Sequence, residues 1–144
     1  MYLLDTNIVS ADAPAHRRIG LEAFATWLRE HSEQLYISTI TVAEIEAGIA
    51  RAVRIGAATK AERLRHWLAA VEHFYAARIL PFDIGAAREA GTILDRARAH
   101  APGFEDIAIA ATAAARGLVV LTANERHFAS LGVPFVNLLK QLPR

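Results

Sequence analysis

The stretch Leu3-Leu4-Asp5-Thr6-Asn7, at the start of the chain, takes an apolar run directly into a carboxylate and then into polar residues. A short apolar run bounded by polar residues is typical of a buried β-strand. We therefore expect a first strand at the centre of a sheet, with Asp5 at its end. A buried carboxylate without a partner is costly, so Asp5 should work together with polar groups from elsewhere in the chain.

Composition limits the class of protein. The 144 residues include thirty alanines and no cysteine, and the formal charge is +1. Alanine at this density favours helix, and the length suits one domain over residues 1–144. The lack of cysteine excludes disulfides, thiolate metal sites and thiol catalysis. The chain has neither a signal-peptide pattern nor the roughly 20-residue apolar run of a membrane span, so we expect a cytoplasmic protein with no membrane partner.

Short apolar runs alternate with segments of helical periodicity. This alternation predicts an α/β fold in which helices flank a central, mostly parallel sheet of about five strands. Ligands of such sheets bind beyond the carboxyl ends of the strands, so functional residues should lie at that edge. The predicted strands are Tyr2–Leu4, Leu35–Ser38, Ile79–Phe82, Leu118–Thr122 and Phe135–Asn137.

A few local signals mark the ends of helices. Gly56-Ala57-Ala58 separates two helical stripes and predicts an αα-hairpin. Thr59-Lys60-Ala61-Glu62 has the form of a capping box for the second of these helices. Gly117 follows a helix expected at about Glu105–Arg116 and stands where a C-cap glycine belongs.

Three carboxylates and an amide are predicted to meet at the carboxyl edge of the sheet. Asp5 ends the first strand, and Glu44 lies in the first turn of the helix after the second strand. Asp106 begins the helix that runs antiparallel to the fourth strand, and Asn124 directly follows that strand. The convergence of positions that are spread over 120 residues favours a functional site.

Each of these residues also has a structural alternative when it is considered alone. Glu44 completes Thr41-Val42-Ala43-Glu44, which fits a capping box. Asp106 could simply stabilise a helix N-terminus through the helix dipole. Thr122 and Asn124 are also common turn residues.

Carboxylates that meet at one edge repel each other and raise one another's pKa values. A divalent cation relieves this repulsion, and oxygen ligands without cysteine favour Mg²⁺ or Mn²⁺ over zinc. Because Mg²⁺ in proteins commonly sits against substrate phosphates, the acidic edge points to phosphoryl chemistry.

Four segments carry a family resemblance that covers essentially the whole chain: Leu3–Ile8, Ile37–Gly48, Glu105–Ala113 and Leu121–Phe128. In order and spacing they resemble PIN-domain proteins, above all the VapC-type toxins of bacterial toxin–antitoxin systems. The resemblance implies a Mg²⁺- or Mn²⁺-dependent endoribonuclease. It further implies a type II toxin that is held inactive by a cognate antitoxin protein and that forms a homodimer.

The resemblance carries Asp5, Glu44 and Asp106 over as the catalytic, metal-binding acids, with Thr6, Thr122 and Asn124 as supporting groups. The family position at Asn124 is often aspartate, and an amide weakens any claim to a second tightly held metal ion. Where some relatives have an acid, this chain has His127. In-line attack of water would leave a 5′-phosphate and a 3′-hydroxyl, as the family implies.

An RNA substrate requires positive charge around an acidic centre. Arg126, which is close to Asn124 in sequence, is the preferred candidate, and Arg17 and Arg18 are further candidates. For each of these arginines the alternative is a solvated helix face.

Two other functions remain open at this point. One is a catalytically silent binding module that keeps the PIN fold. The other is a phosphatase of the haloacid dehalogenase type, which also places an aspartate after its first strand. That class normally has a second aspartate two residues later, where this chain has Asn7, and neither Lys60 nor Lys140 is well placed to supply its lysine.

Overall fold

The first strand lies at the centre of a five-stranded sheet in the computed structural model, which describes residues 1–11 and 22–143. The strand order is β3-β2-β1-β4-β5, and every neighbouring pair is parallel. The strands are β1 (Tyr2–Leu4), β2 (Leu35–Ser38), β3 (Ile79–Leu80), β4 (Val119–Leu121) and β5 (Phe135–Val136).

Seven α-helices within the described residues cover the two faces of this sheet. The helices are α1 (Thr6–Ala11), α2 (Glu22–Glu30), α3 (Thr39–Arg54), α4 (Ala58–Phe74), α5 (Ile84–Arg96), α6 (Phe104–Ala114) and α7 (Glu125–Phe128). None of the helices in these ranges is long and apolar enough to cross a bilayer.

Leu3 and Leu4 show why β1 occupies the centre. Side chains alternate between the two faces of a strand, and both leucines are almost fully buried, at 0% and 1% exposure. Leu3 packs with residues of α5 and α6 on one face, and Leu4 packs with residues of α1 to α4 on the other. A strand that is apolar on both faces is stable only between two helical layers.

The predicted α/β class is confirmed, and every predicted strand is found with at most two residues of difference at its end. The predicted αα-hairpin is also confirmed, because α3 and α4 are joined through Gly56, which has a φ of 77°. Gly117 has a φ of 64° and follows α6, as expected of a C-cap glycine.

Both capping boxes considered from the sequence are absent from the structure. Helix α4 begins at Ala58, before Thr59, and has no side-chain cap. Helix α3 is capped by Ser38, whose Oγ accepts a hydrogen bond of 3.0 Å from the backbone N–H of Ile40. Since α3 begins at Thr39, Thr41 lies inside the helix and Glu44 lies in its second turn, not in its first as predicted.

Candidate active site at the carboxyl edge of the sheet

Asp5 lies directly after β1 and is buried, with 4% of its surface exposed. Both of its carboxylate oxygens accept hydrogen bonds of 2.8 Å: Oδ1 from the backbone N–H of Thr6, and Oδ2 from the hydroxyl of Thr122. The Thr122 bond spans the ends of two neighbouring strands, β1 and β4. The carboxylate is therefore held in one orientation at the centre of the edge.

Glu44 reaches the same edge from α3. Thr6, the first residue of α1, donates its hydroxyl hydrogen to Glu44 Oε1 over 2.8 Å. The buried hydroxyl of Thr41, one turn before Glu44, lies 3.0 Å from Thr6 Oγ1. One threonine next to Asp5 thus anchors the second acid, and no hydrogen bond from the described residues reaches Glu44 Oε2.

Asp106 is the third residue of α6 and keeps 19% of its side chain exposed. Its Oδ2 lies 2.8 Å from Nδ1 of His127, on α7. A carboxylate can only accept hydrogen bonds, so Nδ1 is the donor. Within residues 1–11 and 22–143, Asp106 Oδ1 receives no hydrogen bond.

Two asparagines complete the edge between β1 and β4. Asn7 accepts a hydrogen bond of 3.1 Å from the backbone N–H of Ala123 and donates one of 3.4 Å to Thr122 Oγ1. The backbone N–H of Asn124 also donates to Thr122 Oγ1, at 2.9 Å. The Asn124 side chain is exposed and makes no capping bond to α7. The Thr122 hydroxyl is therefore hydrogen-bonded to Asp5, to Asn7 and to the backbone of Asn124.

The acids interact electrostatically. Burial raises the pKa of Asp5 above its usual range, and the charge of Asp106 raises it further, against hydrogen bonds from Thr122 and Thr6 that lower it. Burial also raises the pKa of Glu44, and Asp5 and Asp106 add to this, whereas the Thr6 hydroxyl acts in the opposite direction. The predicted convergence of the three carboxylates on one edge is thus present in the structure.

The donor chemistry of the site fits a hard divalent cation. The three carboxylates supply only oxygen, and their mutual repulsion is the kind that such a cation relieves. In residues 1–11 and 22–143, however, no group of three or more Asp, Glu or His side chains is arranged as a ready-made metal site. The structure therefore shows a repelling acidic cluster and not a closed metal cage.

The candidate RNA-binding arginines differ in what the structure shows of them. Arg126 lies on α7, two residues after Asn124, and is exposed; none of the ion pairs among the described residues includes it. Arg17 and Arg18 lie outside the described residues.

Three further residues at the edge make contacts that sequence reasoning did not predict: Asn7, His127 and Lys140. Asn7 belongs to the first motif, and His127 follows Arg126 directly, beside the predicted site. Lys140 was considered only as the lysine of a haloacid dehalogenase. It follows β5 and donates to Glu125 Oε2 at 2.7 Å, and Glu125 is the residue after Asn124. Only the pairing of β5 next to β4 could have indicated this position.

Comparison with known proteins identifies relatives over nearly the whole chain. The model of the PIN domain family matches residues 2–133. The plasmid stability protein StbB of Pseudomonas syringae pv. tomato is 35% identical, and the match covers 95% of this chain and 97% of that protein. The VapC ribonuclease Y4jK of Sinorhizobium fredii is 33% identical, covering 95% and 96%. Toxin FitB of Neisseria gonorrhoeae is 34% identical, covering 95% and 97%.

Solved structures show the same fold. The crystal structure of FitAcB from Neisseria gonorrhoeae contains a chain with a TM-score of 0.81 and 32% identity, covering 98% of this chain and 100% of that one. The structure of FitAB bound to the IR36 DNA fragment matches with a TM-score of 0.74 and 31% identity, covering 100% and 99%.

Proposed function

The chain belongs to the PIN domain family, and from that premise we propose that it is a metal-dependent endoribonuclease that hydrolyses RNA phosphodiester bonds. The observation that carries the proposal is the meeting of Asp5, Glu44 and Asp106, from three separate elements, with the pKa values of Asp5 and Glu44 raised. The relative that is named a VapC ribonuclease supports the same activity.

Asp5, Glu44 and Asp106 would hold Mg²⁺ or Mn²⁺, partly through water. Such an ion, when bound, lowers the pKa of a coordinated water and neutralises charge that develops on a scissile phosphate. Among the three acids, Glu44 and Asp106 each have one oxygen without a hydrogen bond from the described residues. One of the carboxylates would help to remove the proton of the attacking water.

Thr6, Thr122 and Asn124 would support the acids. Thr6 fixes Asp5 through its backbone N–H and Glu44 through its hydroxyl. Thr122 fixes Asp5 and receives the backbone N–H of Asn124. Such outer contacts commonly orient metal-binding carboxylates. The Asn124 side chain, which is exposed, would contact the substrate.

Arg126 would supply positive charge for the RNA backbone, because it is exposed at the acidic edge and none of the ion pairs among residues 1–11 and 22–143 includes it. For Arg17 and Arg18 the same role rests on the sequence alone. Charge reversal, Arg126→Glu, should weaken RNA binding and reduce its dependence on salt. Unchanged affinity and an unchanged salt slope would remove Arg126 from the proposal.

The activity is tested by single substitutions in the purified chain. Asp5→Ala and Asp106→Asn should abolish Mg²⁺- or Mn²⁺-dependent cleavage of RNA, with circular dichroism showing that the fold survives. Glu46→Gln is the matched control, because Glu46 is exposed on the same helix as Glu44 but about 200° around it. Mapping of the cleaved ends should give 5′-phosphates. Full activity of either acid variant would overturn the assignment of these acids, whereas a parent chain that cleaves no RNA would favour a catalytically silent PIN module.

We also propose that the chain is the toxin of a type II toxin–antitoxin pair, that it binds a cognate antitoxin protein and that it forms a homodimer in the cytoplasm. Support comes from the relative named toxin FitB and from the structure of FitAB on DNA. Expression of the chain in a bacterial host should arrest growth, and coexpression of the small gene next to its own should restore growth. Sedimentation that shows only monomer at micromolar concentration would contradict the dimer.

A further inference from the structure

A contact with Asp106 connects His127, an exposed residue of α7, to the acidic cluster. Its Nδ1 lies 2.8 Å from Asp106 Oδ2, and its charge, when present, lowers the pKa of Asp5. The contact joins α7 to α6, over 21 positions of sequence. His127 thus touches one acid of the cluster and lies near a second.

The two helices that form this contact, α6 and α7, are both packed into the core. Phe128, the neighbour of His127, is fully buried in the core. The backbone N–H of His127 donates to Asn124 O at 3.1 Å. On the other side, residues 107–113 of α6 are all buried. The packing of α6 and α7 therefore places the imidazole next to Asp106. The His127 side chain itself is 54% exposed.

The direction of the hydrogen bond does not depend on the charge of the ring. Nδ1 carries a proton both in the imidazolium and in the neutral Nδ1–H tautomer. In either form it occupies Asp106 Oδ2 and leaves Oδ1 free of bonds from the described residues. In the same way, the Thr6 hydroxyl occupies Glu44 Oε1 and leaves Oε2 free.

We propose that His127 is a positioning residue, which fixes the rotamer of Asp106 so that its free oxygen faces Asp5 and Glu44 and thereby strengthens the binding of a divalent cation. This inference rests on the proposed metal-dependent function. His127 would thus position Asp106 in the same way that Thr6 positions Glu44. An acid at this position would add charge to the cluster, whereas a histidine orients an acid that is already present.

The test is calorimetric titration of Mn²⁺, and separately Mg²⁺, into the purified full chain at fixed pH and ionic strength. His127→Ala should raise the dissociation constant about tenfold, the lower end of the loss seen when an outer contact of a metal ligand is removed. His127→Asn should restore most of the affinity, because the Asn Nδ2 can replace Nδ1 as a donor. His127→Gln keeps the size of the side chain without a donor at that position, and should resemble His127→Ala.

His66→Ala is the matched control, because His66 is also exposed and contacts a carboxylate, with Nε2 3.2 Å from Glu62 Oε1 on α4. This variant should bind the ion as the parent chain does. Unchanged or tighter binding by His127→Ala would overturn the role of His127, since it would mean that the imidazole is neutral toward the ion or competes with it. If the parent chain binds neither ion and cleaves no RNA, the proposed function itself fails. If the parent chain binds the ion and His127→Ala binds it equally well, only the role of His127 fails, so the two failures are distinguishable.

Discussion

The ionised carboxylate of Asp5 lowers the stability of the fold. Burial and the neighbouring Asp106 both raise its pKa above its usual range, so the folded state favours the protonated form more than the unfolded state does. Ionisation of Asp5 at neutral pH therefore destabilises the fold. A carboxylate whose pKa is lowered in the folded state stabilises the fold while it is ionised. The effect of Asp5 ionisation on stability therefore has the opposite sign.

Asp5→Asn should consequently stabilise the metal-free chain at neutral pH, by on the order of 1 kcal/mol. The gain should shrink as the pH falls through the raised pKa of Asp5, and should vanish below about 3.9, where the carboxyl is protonated in both states. Urea denaturation in EDTA over a series of pH values measures this. A variant that is less stable than the parent at neutral pH would show that the hydrogen bonds from Thr6 and Thr122 outweigh the burial of the charge.

The side-chain contacts at this scale were beyond prediction from the sequence. That Asp5, Glu44 and Asp106 share one edge follows from the alternation of strands and helices along the chain and from the rule for parallel sheets. That Thr6 bonds Glu44 and His127 bonds Asp106 depends on rotamers and on helix starts, which local patterns did not determine. Thr41-Val42-Ala43-Glu44 matched a capping box in every residue type, but Ser38 caps the helix instead.

At the scale of elements, the α3–α4 hairpin depends on a backbone conformation that L side chains rarely adopt. Gly56 has a φ of 77°, and Gly48 lies on an exposed part of α3 with no atom within 4 Å of an added Cβ. Replacement of glycine by alanine should therefore have opposite effects on the stability of the chain at the two positions.

Gly56→Ala should destabilise the chain by about 1–2 kcal/mol, because a Cβ in the left-handed region meets the following carbonyl oxygen. Gly48→Ala should stabilise it by about 0.5–1 kcal/mol, because alanine is a better helix former than glycine. Urea denaturation of both variants measures the two changes. Equal signs would mean that the turn at Gly56 rearranges freely.

At the scale of the whole molecule, the strand order was the feature that the sequence left undetermined. The alternation of strands and helices predicted parallel pairing, and the burial of both leucines of β1 explains its central place. Which strands flank it, however, depends on which face each helix covers, and a helix that is apolar all round does not indicate that face. Helix α6, with all of residues 107–113 buried, is the clearest case.

We propose that the folded domain extends beyond residue 133, where the match to the family model ends. Strand β5 pairs with β4, and Leu138 is 2% exposed in the core that contains Leu4. Leu138→Ala should therefore cost about 2–5 kcal/mol. The neighbouring Leu139→Ala, at a position that is 46% exposed, should change the free energy of unfolding by about 0.5 kcal/mol or less. Equal effects would place the end of the chain outside the domain.

The proposed binding of a divalent cation should stabilise the whole fold, because the ion would bind the folded chain and would relieve repulsion that the unfolded chain lacks. At a free concentration one hundred times its dissociation constant the gain is about 2.7 kcal/mol, which thermal denaturation with and without Mn²⁺ detects. The gain in stability should fall as the pH is lowered. Because the pKa values of Asp5 and Glu44 are raised, protons compete with the ion for these carboxylates at a higher pH than for ordinary ones. Asp106→Asn should lose most of the gain, and Glu46→Gln should keep it. An equal rise in melting temperature for parent and Asp106→Asn would locate the ion away from this edge.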